Sequence, residues 1–219
     1  MNHTHLLHLD RIIWQGAEHA ARQPPLLDGI DWSIGAGERW AIVGGEGSGK
    51  STLLRLMVGL LRPEQGEVRW QGQPVSEGAT VAAIGVLFSD AAQRFLTPNV
   101  WEEIALTPAH QGILGEELQQ RVAMAMQQAG LEAAMAKREL ATLSTAQAYR
   151  VAVAALLAMQ PTLLLLDEPG SVLDEAGEAA LAACLRPFSS ITLTSRLSRA
   201  RLFADRLAWL ESGQLRVET

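Results

Sequence analysis

Nine consecutive residues could form a binding site for phosphate groups. They fit the pattern Gly-x-x-x-x-Gly-Lys-Ser/Thr and are Gly44, Gly45, Glu46, Gly47, Ser48, Gly49, Lys50, Ser51 and Thr52. In such a loop the backbone N–H groups surround phosphate oxygens, the lysine reaches the outer phosphates, and the following hydroxyl binds Mg²⁺. An ordinary glycine-rich turn is the alternative. The apolar run before the loop and the helical pattern after it favour phosphate binding, so we predict a nucleotide site with Ser51 as a Mg²⁺ ligand.

Two neighbouring acids could complete this site. Asp167 and Glu168 follow the apolar run Leu163–Leu166, which is typical of a strand buried on both faces. An acid at the carboxyl end of such a strand can lie beside the Mg²⁺, and the next acid can polarise the water that attacks the γ-phosphate. An acid that merely ends a strand is the alternative for Asp167 alone. We therefore predict Asp167 as a metal-binding residue and Glu168 as the catalytic one.

Strands and helices must alternate to position these residues. The pattern predicts strands at residues 6–13, 30–34, 39–44, 67–70, 83–88, 162–166, 190–194, 206–210 and 214–217. It predicts helices at residues 50–60, 100–106, 116–129, 145–159, 175–185 and 198–204, and a loop at 15–25. Residues from about 97 to 160 are entirely helical in this prediction. The chain is therefore expected to be one α/β domain, residues 1–219, with an inserted helical subdomain.

Composition excludes several classes of protein. The 219 residues carry a formal charge of −6 with only 18 Lys and Arg, which argues against a nucleic-acid surface. The single cysteine, Cys184, excludes a disulfide framework and suggests a reducing compartment. The longest apolar run, Val151–Met159, is well short of the ~20 residues that a membrane-spanning helix needs. Any membrane role is therefore expected to depend on a partner protein.

Further stretches resemble the ATP-binding subunits of ABC transporters over nearly the whole chain. Residues 143–147 (Leu-Ser-Thr-Ala-Gln) stand where that family has its Leu-Ser-Gly-Gly-Gln signature, and residues 171–174 resemble its subunit-contact loop. Trp14 matches the aromatic residue that stacks on adenine, and residues 205–215 resemble the closing strand pair. The resemblance implies a P-loop NTPase core, a mostly parallel sheet with an antiparallel β subdomain, and ATP and Mg²⁺ as cofactors. Ser144 and Gln147 would contact the ATP of a partner subunit.

Three positions depart from the family pattern. Ser89 replaces a glutamine near the Mg²⁺, Thr145 and Ala146 replace the two signature glycines, and Ser195 replaces the histidine that touches the γ-phosphate. All three lie where the family acts on the γ-phosphate or across the dimer, so we expect binding to persist and turnover to fall. Ser144 and Gln147 also form a Ser-x-x-Gln capping box, which would start a helix at Thr145 whether or not the stretch serves a partner.

The resemblance implies an ATPase that energises a membrane transporter through ATP-driven dimer closure. It would work as a homodimer or, as we favour, a heterodimer, bound to an integral membrane subunit at the cytoplasmic face of the membrane. Residues 95–108 are similar to a segment of energy-coupling-factor and cobalt/nickel-type importers, which suggests a micronutrient or metal ion as the substrate. The alternative is a catalytically impaired subunit that binds ATP as a structural or regulatory ligand.

Overall fold

The structure is a computed structural model that describes residues 5–16, 25–76 and 83–218. Most of the predicted loop at 15–25 lies outside these ranges. The described residues form the strands β1 (Leu7–Trp14), β2 (Leu27–Ile34), β3 (Arg39–Val43), β4 (Gln65–Trp70), β5 (Gln73–Pro74), β6 (Ile84–Leu87), β7 (Leu163–Asp167), β8 (Ser189–Thr194), β9 (Arg206–Glu211) and β10 (Gln214–Val217). The helices are α1 (Lys50–Met57), α2 (Val100–His110), α3 (Gly115–Gln128), α4 (Thr145–Ala158), α5 (Glu175–Leu185) and α6 (Leu197–Phe203).

The strands form two sheets. The larger sheet has the order β10-β9-β3-β8-β7-β6, in which β9, β3, β8, β7 and β6 are parallel and β10 is antiparallel to β9. The smaller sheet has the order β2-β1-β4-β5 and is antiparallel. The predicted α/β class with an antiparallel β subdomain is therefore confirmed. The carboxyl ends of β3, β7 and β8 meet at one edge of the parallel sheet, next to the start of α1.

Strand β7 separates two apolar cores. Leu163 and Leu165 pack with the smaller sheet and α1, whereas Leu164 and Leu166 pack with α2, α3 and α4. All four side chains are almost completely buried, as expected for a parallel strand covered on both faces. Because both faces of β7 are packed, the position of Asp167 at its end is firmly determined.

Helices α2, α3 and α4 lie between β6 and β7 in the chain and share one core. This arrangement agrees with the helical insertion predicted from about residue 97 to 160. No helix in the described ranges is both long enough and apolar enough to span a bilayer. The assignment of residues 1–219 to a single domain remains our interpretation.

Several element ends differ from the prediction. Helix α1 ends at Met57, three residues early, because Gly59 has a φ of 74° and the Leu60 amide donates to the Arg55 carbonyl. Helix α2 continues past Leu106 to His110 with Pro108 inside its last turns, where few intrahelical bonds remain to be lost. Strand β2 begins at Leu27, three residues earlier than expected, where it pairs with Trp14.

Candidate functional site

Helix α1 begins without a side-chain cap. Its N-cap residue Gly49 has a φ of 99°, and a Cβ there would lie 2.9 Å from Leu27 Cδ2. Only glycine adopts this conformation without strain. The first N–H groups of a helix have no intrahelical acceptor, and here no side chain supplies one. The partial positive charge of the helix end is therefore left for an anion.

The lysine of the motif lies against its own loop. Lys50 Nζ donates hydrogen bonds to the Gly44 carbonyl (2.7 Å) and the Gly45 carbonyl (2.8 Å). The Gly44 amide in turn donates to the Thr194 carbonyl at the end of β8 (3.1 Å). These bonds hold the loop at the sheet edge and place the ammonium group at the mouth of the loop, where phosphate oxygens could replace the two carbonyl acceptors.

The loop and the acidic pair face one open cleft of about 410 Å³. Its walls come from the first turn of α1, the ends of β7 and β8, and the segment after β6. The residues that line it are Leu26, Glu46, Gly47, Ser48, Gly49, Lys50, Ser51, Thr52, Ser89, Asp167, Glu168 and Ser195. The predicted phosphate loop, metal-binding pair and catalytic acid thus meet in one place, although their sequence positions are more than 110 residues apart.

Ser51 and Asp167 offer the oxygen ligands that Mg²⁺ prefers. Burial, and next the charge of Glu168, raise the pKa of Asp167, whereas Lys50 opposes this shift. The charge of a bound cation would oppose both effects and favour the ionised form of Asp167. Within the described ranges, no group of three or more His, Cys, Asp or Glu side chains could hold a metal. The two residues therefore fit an ion that takes its remaining ligands from water and nucleotide phosphates.

Glu168 is held by three donors. Its Oε1 accepts from the Ser195 amide (2.6 Å), and its Oε2 accepts from Thr194 Oγ1 (2.8 Å) and Arg199 Nη1 (2.8 Å). Burial favours the neutral acid, but these hydrogen bonds outweigh it and hold the pKa of Glu168 below its usual range. Glu168 is thus a carboxylate near neutral pH, which is the form that a general base requires.

Sequence analysis missed three residues at this site. Leu26 lines the cleft, and Thr194 and Arg199 bind Glu168. No motif marks them, since an isolated leucine, threonine or arginine matches no pattern. Thr194 ends an all-buried strand just before Ser195, and that position was the one available signal. Of the departures, Ser89 and Ser195 both line the cleft, at the positions from which they were expected to act.

The remaining predicted contacts lie elsewhere. Trp14 is half-buried at the end of β1, opposite Leu27, and does not line the cleft. Ser144 and Gln147 form the expected capping box at the start of α4: Ser144 Oγ accepts from the Gln147 amide (3.3 Å), and Gln147 Oε1 accepts from the Ser144 amide (3.1 Å). The roles of Trp14 in adenine stacking and of Ser144 and Gln147 in a partner's site remain predictions.

Helix α4 also contacts the segment after the acidic pair. The buried Tyr149 hydroxyl accepts a hydrogen bond from the Gly170 amide at 2.9 Å. Burial raises the pKa of Tyr149 to about 12, so the hydroxyl stays protonated at physiological pH. The segment that follows Glu168 is therefore fixed to the helical region through one buried side chain.

Known proteins share this sequence and architecture. The profile of the ABC transporter family matches residues 27–171. The chain is 36% identical to the energy-coupling factor transporter ATP-binding protein EcfA2 of Methanospirillum hungatei, over 87% of this chain and half of that protein. It is 34% identical to EcfA1 of Ligilactobacillus salivarius, over 90% of this chain and 73% of that protein.

Solved structures agree. CbiO1 of Clostridium perfringens, part of the ABC transporter complex cbiONQ, superposes with a TM-score of 0.85 at 26% identity, over 97% of this chain and 87% of that one. The bacterial ABC transporter cassette MJ0796, solved as a dimer, gives 0.84 at 25% identity, over 97% and 98%. The family profile spans both the phosphate loop and the acidic pair and matches more than half of the chain, so the chain belongs to the ABC transporter family.

Proposed function

We propose that this chain binds Mg-ATP in the cleft and energises a membrane importer of the energy-coupling-factor or CbiO type. The observation that carries the proposal is the meeting of an uncapped helix start, Lys50 and the pair Asp167–Glu168 in one cleft. The names of EcfA2, EcfA1 and CbiO1 support the importer class. A vitamin or transition-metal ion is the substrate class that we infer from these relatives.

Each cleft residue has a role in this proposal. The amides of residues 46–50 and the Lys50 ammonium bind the phosphates, and Ser51 and Asp167 are the residues that would hold the Mg²⁺. A bound Mg²⁺ supplies charge neutralisation at the β- and γ-phosphates. Glu168 accepts hydrogen bonds from the attacking water and orients it towards the γ-phosphate. Trp14 pairs with Leu27, which follows the cleft residue Leu26, and it stacks on adenine in this proposal.

The active form in this proposal is a head-to-tail dimer at the cytoplasmic face of the membrane. Ser144 and Gln147 of one subunit reach the ATP bound by the other, and an integral membrane subunit docks in the groove beside residues 95–105. The dimeric structure of MJ0796 supports the dimer, and the cbiONQ complex supports the membrane partner. A heterodimer with a subunit that keeps the signature glycines would leave the site on this chain's phosphate loop with departures at Ser89 and Ser195 only, and the partner's site with those at Thr145 and Ala146 only.

A second candidate is a subunit that holds ATP with little turnover. Thr145 and Ala146 favour it, since each carries a Cβ where the family has glycine, at the helix start that would meet a partner's γ-phosphate. The serine at position 195 favours it too, because a short hydroxyl replaces a larger group at the cleft wall. Under this alternative ATP binding controls dimer closure while the partner subunit hydrolyses ATP.

One experiment separates the two candidates. Mg-ATP affinity is measured by calorimetry and ATP turnover by phosphate release, on the wild-type chain, on Glu168→Gln and on Glu132→Gln, a matched change at an exposed glutamate. We expect Glu168→Gln to keep ATP affinity and to lower turnover by about 10²–10⁴-fold, the usual range for a general base. Equal turnover in wild type and Glu168→Gln would contradict the role of Glu168. Binding without turnover in the wild type would establish the second candidate.

A further inference from the structure

Arg199 lies between two carboxylates. Its Nη1 donates to Glu168 Oε2 (2.8 Å), and its Nη2 and Nε donate to Glu178 Oε1 (2.6 and 3.2 Å). The arginine is only 5% exposed, whereas the side chains of Glu168 and Glu178 are 24% and 20% exposed. A buried guanidinium with a charged partner on each side makes strong hydrogen bonds, since little water competes for its donors. Arg199 thus ties the end of β7 to the first turns of α5.

The Glu168 carboxylate has little acceptor capacity left. A carboxylate offers about four lone-pair positions. Three of them are used here, by the Ser195 amide, the Thr194 hydroxyl and Arg199. Among these, the bond to Arg199 is the only one in which the donor is charged, and bonds of that kind are roughly twice as strong as neutral ones. The position that remains is on Oε1 and is open to water, but the charged donor on Oε2 draws electron density from the whole carboxylate.

Hydrogen bonds hold the backbone at Glu168 and just after it. Glu168 has a φ of 47°, and its amide donates to the Leu193 carbonyl at 2.9 Å. Two residues later the Gly170 amide donates to the buried Tyr149 hydroxyl. Because the main chain is held on both sides, the direction of the Glu168 carboxylate depends on its side-chain partners. A change at Arg199 therefore removes one of the three donors to the carboxylate without moving the strand.

We propose that Arg199 is a positioning residue that restrains Glu168 and draws charge from its carboxylate, so that the carboxylate polarises the attacking water less strongly than it would without Arg199. This inference rests on the proposed role of Glu168. Arg199 does not line the cleft, so it affects the carboxylate and not the nucleotide. The restraint lowers the rate of the chemical step while leaving ATP binding intact.

The contact between Arg199 and Glu168 also depends on the position of α5, which carries Glu178. Glu178 lies in the first turns of α5, and that helix is capped by Asp174, whose side chain accepts from the Gly177 amide at 2.8 Å. Residues 171–174, which lead into this cap, resemble the loop that meets the opposing subunit. A displacement of α5 that moved Glu178 away from β7 would therefore weaken the contact between Arg199 and Glu168.

The test removes the restraint without leaving either Arg199 or Glu178 unpaired, while Glu168 keeps its hydrogen bonds from Thr194 and Ser195. In the double variant Arg199→Met/Glu178→Met, both charges become apolar side chains of similar length, an exchange that is often neutral for stability. We expect kcat for ATP to rise by about three- to tenfold with KM unchanged, because only the group that acts on water has been freed. A purely structural role of Arg199 could lower activity but would not raise kcat at constant KM.

Three controls complete the experiment. Arg39→Met/Asp205→Met removes another arginine–carboxylate pair, at the opposite end of β3, and should leave kcat at the wild-type value. Arg199→Lys keeps one charge but loses the two-sided contact, so a smaller rise is expected, and it serves as the test if the double variant does not fold. Adding Glu168→Gln to the double variant should abolish the gain.

A folded Arg199→Met/Glu178→Met variant, or failing that Arg199→Lys, with wild-type affinity for ATP and no rise in kcat would overturn the proposal. If Glu168→Gln abolishes turnover in the wild type while these variants show no gain, the restraint is refuted and the role of Glu168 stands. If Glu168→Gln has no effect on wild-type turnover, the proposed function itself fails.

Discussion

Helices α1 and α4 both begin at a predicted nucleotide contact, but their first turns are satisfied in different ways. Helix α1 starts at Gly49 with no side-chain cap. Helix α4 starts at Ser144 with both bonds of a capping box in place. The first N–H groups of α1 are therefore left for water or an anion, whereas at α4 the amides of Ser144 and Gln147 have side-chain acceptors.

This difference shows how the chain divides binding from activation. The uncapped start of α1 lies in the cleft together with Asp167 and Glu168. One subunit therefore contains the phosphate loop and the metal-binding residues of our proposal. The closed end of α4 carries the two residues that would act on a partner's ATP. The capping bonds use only the oxygen acceptors of these two side chains, so the Ser144 hydroxyl proton and the Gln147 side-chain amide protons stay available to a partner's phosphate.

Apart from the changes at Lys50 and Glu168, the largest expected effect concerns the uncapped start of α1. Ser51→Ala should lower ATP affinity by roughly 10- to 100-fold when Mg²⁺ is present, which corresponds to the loss of one charge-assisted contact. With EDTA in place of Mg²⁺, the two proteins should bind ATP alike. Calorimetry of both proteins under both conditions measures this. A loss of affinity that is the same in EDTA would show that Ser51 does not act through a metal ion.

The next largest effect is expected when the glycine at the N-cap of α1 is replaced by alanine. Gly49→Ala should lower the free energy of unfolding by about 1–3 kcal/mol, because alanine is strained at a φ of 99° and its Cβ would press on Leu27. Chemical denaturation measures the loss. Gly37→Ala is the matched control for strain alone, since Gly37 also has a positive φ but no atom within 4 Å of its Cβ position. Equal losses in the two variants would mean that contact with Leu27 costs nothing.

A smaller effect is expected when the start of α4 is made more like α1. Thr145→Gly/Ala146→Gly should cost up to about 1.5 kcal/mol of stability, since glycine is a poorer helix residue. The same change removes two Cβ atoms from the face that would meet a partner's γ-phosphate, so ATP-dependent dimerisation should strengthen. Light scattering with and without ATP detects dimers. Unchanged dimerisation would show that the side chains of Thr145 and Ala146 do not weaken ATP-dependent dimerisation.

The smallest expected effect compares the two helix starts directly, because α4 has a side-chain cap and α1 has none. Ser144→Ala should lower the free energy of unfolding by about 1 kcal/mol, the usual cost of losing an N-cap serine. Ser51→Ala should cost less than about 0.5 kcal/mol, because its exposed hydroxyl caps nothing. Thermal and chemical unfolding of the two variants side by side provide the comparison. Equal losses would mean that the capping box does not stabilise α4.

Local signals explain what could be predicted from the sequence. The phosphate loop is contiguous, and an apolar run fully buried in β7 marks Asp167 and Glu168, so both halves of the cleft follow from short stretches. Errors at element ends have local causes too. Gly59 ends α1 early through its left-handed backbone, and Pro108 lies in the last turns of α2, where it is tolerated.

The contacts around Glu168 could not be predicted. Arg199, Thr194 and Glu178 come from three elements, and only the packed sheet and helices bring them to one carboxylate. A lone arginine in a short helix carries no pattern that indicates its burial. The bond from Gly170 to Tyr149 is similar, because an aromatic residue on an apolar helix predicts packing and not a hydrogen bond.

The central claim is that this chain's own phosphate loop binds ATP, and calorimetric titration of Mg-ATP into the wild type and Lys50→Ala tests it most directly. Lys137→Ala, at an exposed lysine of the helical region, is the matched control. The account predicts binding to the wild type and to Lys137→Ala, and an affinity at least about 100-fold weaker for Lys50→Ala, since two hydrogen bonds from a charged donor are lost. Wild-type affinity in Lys50→Ala, or no binding to the wild type, would contradict it.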